Sequence, residues 1–178
     1  DKKYIEPLED GVKQRIRDWQ DQKFGLFIHW GTYSVTGVIE SWSLDPRHIE
    51  WCYKFRPQDM SYEEYVRSYE NLITQFNPVS FDPETWAKAA KYAGMKYMVF
   101  TTKHHDGFSM FDTQQNDYKI TSDRCPFHTS PKANIAKELF DAFRAEGIMP
   151  GAYFSIADWY NDDYWWDYFP PKDASPNY

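Results

Sequence analysis

The sequence predicts an α/β fold built on a parallel sheet, and three observations carry that prediction. Short apolar runs rich in β-branched and aromatic residues recur along the chain, segments with apolar residues spaced by three and four separate them, and each run empties into a polar or aromatic loop. Strands covered on both faces by crossover helices read as near-continuous apolar runs, whereas half-buried antiparallel strands alternate.

The elements follow in order. Phe24-Gly25-Leu26-Phe27-Ile28-His29 is a buried strand that stops at Trp30-Gly31. Tyr62, Tyr65, Val66, Tyr69, Leu72, Ile73 and Phe76 fall on one face of a helix, with Ser61 as N-cap and Glu64 placed for a capping box. Asp82-Pro83 starts a second helix, Trp86, Ala89, Ala90 and Ala93 give its period, and Gly94 ends it. Tyr97 to Thr102 is the next strand, delivering the chain into Lys103-His104-His105-Asp106-Gly107. Ile135, Leu139, Phe140 and Phe143 mark a helix stopped by Gly147, and Ile148 to Ser155 form a further strand. Either a barrel or an open sheet accommodates this alternation. A (β/α)₈ barrel takes about 250 residues, so three strands spread over 178 residues fit roughly the first half of a TIM-like barrel. Asn161 to Tyr178 has no period and reads as a loop on the binding face.

Composition removes several functions. The net charge is −7 with no run of basic residues, which excludes a phosphate-neutralising nucleic-acid surface. No apolar window is long enough to span a bilayer, and Asp1-Lys2-Lys3 opens without a signal segment. Cys52 and Cys125 match no metal or redox spacing. Neither a Gly-rich phosphate loop nor a GxSxG elbow is present, and no cofactor is expected. The chain is 20% aromatic at a mean hydropathy of −0.78, so many rings are interleaved with polar groups. Trp and Tyr pair a flat apolar face with a polar handle, which suits a ligand with C–H faces and hydroxyls.

In parallel α/β architectures the site forms at the carboxyl ends of the strands. Three clusters occupy that position: His29-Trp30, His104-His105-Asp106, and Tyr153 with Asp158-Trp159. Neutral imidazole donates at one nitrogen and accepts at the other, and so satisfies a sugar hydroxyl in either sense. Adjacent residues in regular β geometry point to opposite faces, so His104 and His105 serve one ligand only where the strand has ended or bulged. Metal-dependent hydrolysis at His104 and His105 is a second reading, weakened by the absence of HExxH spacing. Glycoside hydrolysis needs two carboxyl groups, about 5–5.5 Å apart for retention and about 6.5–9.5 Å for inversion. Glu50, next to Trp51 in a loop, is the candidate acid, and Asp158, Asp162, Asp163 and Asp167 crowd the last loop without a distinguished member.

These motifs resemble the α-L-fucosidases of glycoside hydrolase family 29, retaining enzymes with a (β/α)₈-like barrel. The matching stretches are Phe24 to Val35, Glu50-Trp51, Phe81-Asp82 with Trp86 to Gly94, Thr102 to Phe108, and Gly151 to Ser155 with Asp158-Trp159. The resemblance implies that residues 1–178 are the N-terminal portion of the catalytic domain. It implies that His29, Trp51, His104, His105 and Tyr153 contact fucose, that Glu50 is an acid/base candidate, and that no metal or other cofactor is used. The family nucleophile is an Asp within a Trp-x-Asp-Gly type of sequence on a later strand. Trp165-Trp166-Asp167-Tyr168 does not match it, so the nucleophile is expected beyond residue 178, with the rest of the barrel. The implied partner is a fucosylated glycan or oligosaccharide, the implied compartment secreted, periplasmic or lysosomal, and the alternative a fucose-binding module without chemistry.

Overall fold

A computed structural model describes residues 7–46 and 50–161; Asp162, Asp163, Asp167 and the Trp165–Tyr168 run lie outside the described residues. Strands β1 (Gly25–Ile28), β2 (Tyr97–Lys103) and β3 (Met149–Phe154) form one parallel sheet in the order β1-β2-β3. Gly25 pairs with Tyr97 and Ile28 with Phe100 on one side of β2, while Tyr97 pairs with Met149 and Thr101 with Tyr153 on the other. Between Thr101 and Lys103 the register shifts, because Lys103 pairs with Phe154 and Thr102 is the extra residue. β2 thus carries a bulge immediately before His104 and His105 and ends before they begin, which frees the tandem pair from strand alternation.

Helices α4 (Pro83–Tyr92) and α5 (Ile135–Ala145) cover one face of the sheet. Their buried residues Ala87, Ala90, Ile135, Leu139 and Phe143 join Met98 and Phe100 of β2 in the main core, with Leu26 and Ile28 packed against it. The expectation of strands buried on both faces holds for β2 only. Phe27, Met149 and Phe154 are 50%, 43% and 54% exposed, because β1 and β3 are the outer strands and the described helices cover a single face.

The helix starts follow their sequence signals. At α3 (Tyr62–Glu70) the Ser61 hydroxyl accepts from Glu64 N–H at 3.2 Å, and the Glu64 carboxylate accepts from Ser61 N–H at 2.9 Å. The capping box satisfies two backbone donors reciprocally. Ser61→Ala is expected to cost about 1 kcal/mol, read as a lower urea midpoint with unchanged slope; an unaltered midpoint would show the cap to be idle. Asp82 caps α4 by accepting from Thr85 N–H at 3.1 Å, and Asn134 caps α5 by accepting from Lys137 N–H at 3.3 Å. Both helices end before glycines with positive φ, Gly94 and Gly147.

Three elements differ from the sequence expectation. The helix expected over 62–76 stops at Glu70 and tightens into a 3₁₀ turn over Asn71–Thr74, ahead of the Asn77-Pro78 pair that cannot continue a helix. Glu50 lies in a one-turn helix, α2 (Glu50–Tyr53), rather than a loop. Helix α1 (Asp10–Gln22) is an element without a sequence expectation; Val12, Ile16 and Trp19 line one face of it, none of its residues is buried, no side chain caps its start, and pairs such as Gln14 with Asp18 at 2.7 Å line its surface. Among the described residues no helix is long and apolar enough to cross a membrane.

Candidate functional site

The carboxyl ends of β1, β2 and β3 bring together four of the residues singled out by the sequence. His29 follows β1, His104 and His105 follow β2, and Tyr153 lies in β3 opposite Thr101. The His104 ring is 4.4 Å from His105, 5.9 Å from His29 and 5.9 Å from Tyr153, the last pair stacked at 21°. Trp30 goes elsewhere. Its ring packs between Phe76, Phe81 and Trp86 in the core, 5.3 Å from Trp86, while its backbone N–H donates to Thr101 Oγ1 at 3.0 Å.

A carboxylate that sequence reasoning did not single out sits at the centre of the cluster. Glu40 lies 3.4 Å from His29 Nε2 and 3.3 Å from His104 Nε2, and accepts from Trp42 Nε1 at 3.0 Å. Its backbone has φ +50°, a conformation that costs a non-glycine residue about 1–3 kcal/mol and persists only when its surroundings hold it. The neighbouring Ser41 hydroxyl meets His104 Nδ1 at 2.5 Å. One short segment, Glu40-Ser41-Trp42, therefore addresses both nitrogens of His104. His29, Glu40 and His104 are also the one group of three potential metal ligands, among the described residues, that can each offer an atom within 4.8 Å of the others.

Indoles form the other wall. Trp42 packs edge-on to His105 at 5.0 Å, Trp159 lies 5.0 Å from His105, and Trp51 lies 6.1 Å from Trp42 at 45% exposure. Glu50 is exposed at the head of α2, so the structure brings Trp51 to the edge of the aromatic wall and gives the imidazoles Glu40 as their carboxylate.

The loops after β2 and β3 are fastened to each other. Lys103 Nζ donates to Asp158 Oδ2 at 2.9 Å and to the Ala157 carbonyl at 3.2 Å; Trp159 N–H donates to the His105 carbonyl at 2.7 Å. Asp158 Oδ1 accepts from the backbone of Tyr160 and Asn161, and His105 Nδ1 bonds Ser155 Oγ at 2.5 Å. Gly107, at φ +81°, lies where a Cβ would strike the Asp158 carboxylate and approach Tyr160 Cβ to 2.7 Å. Gly107→Ala is strained by both conformation and space, and is expected to lower stability. A thermal melt of the variant tests this, and a native melting temperature would contradict it.

Burial, with His105 and His29 adding to it, pushes His104 down to about 3, so the ring is neutral at neutral pH. Neutrality suits a group that must both donate and accept. Asp106 is buried beneath the pair, accepts from Tyr69 OH at 2.8 Å and Phe108 N–H at 3.2 Å, and is nonetheless raised by burial to about 6. The two shifts act oppositely on stability. His104 is depressed from 6.5, so acidification from 6.5 towards 3 costs stability. Asp106 is raised from 3.8, so its contribution is full below 3.8 and lost as pH rises through 6. Asp106→Asn removes the second effect, and the variant is expected to lose stability more steeply than the native protein between pH 6 and 4. Urea melts across that range check the sign; a shallower slope in the variant would refute it.

Imidazoles, a carboxylate and indole faces are gathered at the strand ends of a parallel sheet, where α/β proteins place their sites. Comparison with known proteins narrows the class. The α-L-fucosidase family model matches residues 1–178, and the chain belongs to the α-L-fucosidase family. Tissue α-L-fucosidase from Homo sapiens is 34% identical over 154 residues, covering 82% of this chain and 30% of that protein. The solved α-L-fucosidase isoenzyme 1 from Paenibacillus thiaminolyticus is 44% identical, with a TM-score of 0.68 over 85% of this chain and 31% of its own. A family 29 α-L-fucosidase from Bacteroides thetaiotaomicron, solved as a trapped covalent intermediate with 2-fluoro-fucosyl fluoride, is 30% identical with a TM-score of 0.68, covering 91% of this chain and 34% of its own. The chain spans about a third of the length of these relatives.

Proposed function

We propose that this chain supplies the fucose-recognition half of a retaining α-L-fucosidase, forming roughly the first half of a (β/α)₈ catalytic barrel. The observation that carries the reading is the convergence of His29, Glu40, His104, His105 and Tyr153 at the carboxyl ends of successive parallel strands in a member of the fucosidase family. The imidazoles and Glu40 exchange hydrogen bonds with the sugar hydroxyls, while Trp42, Trp159 and Tyr153 offer apolar faces to its C–H edge and methyl group.

Strand order supports the barrel. A wall that closes on itself adds strands in sequence, as β1-β2-β3 do, whereas a doubly wound sheet reverses direction at a switch point. The covalent intermediate trapped in the Bacteroides relative supports retention, in which a carboxylate displaces the aglycone, protonated by a general acid, from the anomeric carbon and water then displaces the carboxylate. The nucleophile is assigned to an Asp outside these 178 residues. Glu50 remains the acid/base candidate on family resemblance, and Glu50→Gln decides it: loss of turnover on substrates with poor leaving groups supports the role, and native turnover moves it elsewhere. The natural substrate is a fucosylated glycan, met in a secreted, periplasmic or lysosomal setting.

The test is hydrolysis of an aryl α-L-fucoside by the full-length protein. Fucose release, with a strong loss in His105→Ala, is the expected result. No turnover by the native full-length protein would overturn the enzyme reading.

A further inference from the structure

The atoms gathered at His29, Glu40 and His104 have a spacing that sugar recognition alone does not require. His29 Nε2 and His104 Nε2 stand 3.4 and 3.3 Å from the Glu40 carboxylate, and one ligand atom from each residue lies within 4.8 Å of the other two. A zinc ion bound by nitrogen and oxygen at about 2.0–2.1 Å in a tetrahedron sets adjacent ligand atoms about 3.3–3.4 Å apart. Each imidazole already stands at that spacing from one oxygen of the carboxylate, His29 from Oε1 and His104 from Oε2, so a cation between the rings is reached by both oxygens. The two nitrogens come within the same span if the His29 ring, 31% exposed, swings towards His104, which is buried.

We propose that His29, Glu40 and His104 form a binding site for a borderline divalent cation, Zn²⁺ foremost, which competes with the sugar for the same groups. Two imidazoles and one carboxylate are ligands suited to zinc, and they leave a fourth position open to water. The surroundings supply what such ligands need. Ser41 Oγ, 2.5 Å from His104 Nδ1, can donate to that nitrogen or accept from it, so the ring presents either an N–H or a lone pair at Nε2 without moving. Trp42 Nε1, 3.0 Å from Glu40 Oε2, orients the carboxylate as outer-shell donors of metal sites do. His105 takes no part, since its Nδ1 is engaged by Ser155 and its ring is packed between Trp42 and Trp159. The inference shares its residues with the fucosidase reading but not its ligand, and the bound cation is an inhibitor rather than a reactant.

The test uses the full-length protein stripped of metal by a chelator. Titration with Co²⁺ is expected to give the visible bands of a four-coordinate site at one equivalent, displaced by Zn²⁺, and Zn²⁺ is expected to raise KM for an aryl α-L-fucoside at unchanged kcat. His29→Gln and Glu40→Gln should each weaken zinc about 100-fold or more, since loss of an outer-shell partner alone costs about 10–100-fold, while His105→Gln leaves the zinc affinity as it was. The absence of the bands, or bands surviving in both His29→Gln and Glu40→Gln, would overturn the cation site and leave calorimetric fucose binding, and so the fucosidase reading, intact. Zinc bound at the triad of a protein that neither binds nor hydrolyses fucosides would instead overturn the sugar reading. Activity abolished by the chelator would overturn competition.

Discussion

Glu40→Gln is expected to lower kcat/KM for an aryl α-L-fucoside by about 10²–10³-fold in the full-length protein. Hydrogen bonds to charged groups contribute about 1.5–3 kcal/mol each, and each 1.4 kcal/mol is worth about tenfold. Glu40 accepts from Trp42 Nε1 and lies 3.4 and 3.3 Å from the Nε2 atoms of His29 and His104. An amide keeps the shape but loses the charge and replaces one accepting oxygen with an NH₂ group, so Trp42, the two imidazoles and a sugar hydroxyl no longer meet a carboxylate that accepts at both oxygens. The folded state is expected to survive, because an isosteric side chain is retained at a backbone position already held at φ +50° by its surroundings. Steady-state kinetics with matched melting curves decide the matter. A change of less than about threefold would mean that the carboxylate orients nothing the reaction depends on.

Phe100→Ala is expected to cost about 3–5 kcal/mol, the range for deleting a buried ring. Phe100 lies in the central strand, is 0% exposed, and pairs with Ile28 on one side and Ala152 on the other. Its ring belongs to the same core as Ala87, Ala90, Leu139 and Phe143, so truncation opens a hole between sheet and both covering helices. A fall in melting temperature of about 10 °C or more would follow for a domain of this size. A fall below about 2 °C would show that the core centres elsewhere.

Much of the scaffold was legible because its signals are local. Ser61 with Glu64, Asp82 with Thr85, and the glycines at 94 and 147 act over three or four residues, and each does in the structure what its type requires. Helix α1 is faint in the sequence because its apolar face is only Val12, Ile16 and Trp19 and no capping side chain marks its start. The site divides along the same line. Histidines at strand ends can be found by knowing where strands stop, which is why His29, His104 and His105 were visible. Glu40 could not be found that way. It belongs to a loop with no period, and its partnership with His104 spans more than sixty residues of chain, as does the Ser41 bond at a separation of 63. The available signal was a second Glu and Trp grouping, Glu40-Ser41-Trp42, close after the first strand, overshadowed by the contiguous Glu50-Trp51. Trp30 shows the converse: an indole beside a site histidine that serves the core.

The extra residue in β2 has a further consequence. A slide of β3 along its neighbour by one position would carry every side chain to the opposite face. Thr102 acts as an indexing notch. Its hydroxyl is tied to the Tyr153 carbonyl at 3.0 Å, and the pairings Thr101 with Tyr153 and Lys103 with Phe154 fit only one alignment of the two strands. The notch guards the alignment of chemistry and not merely of backbone, for it keeps the Tyr153 ring against His104 each time the chain folds.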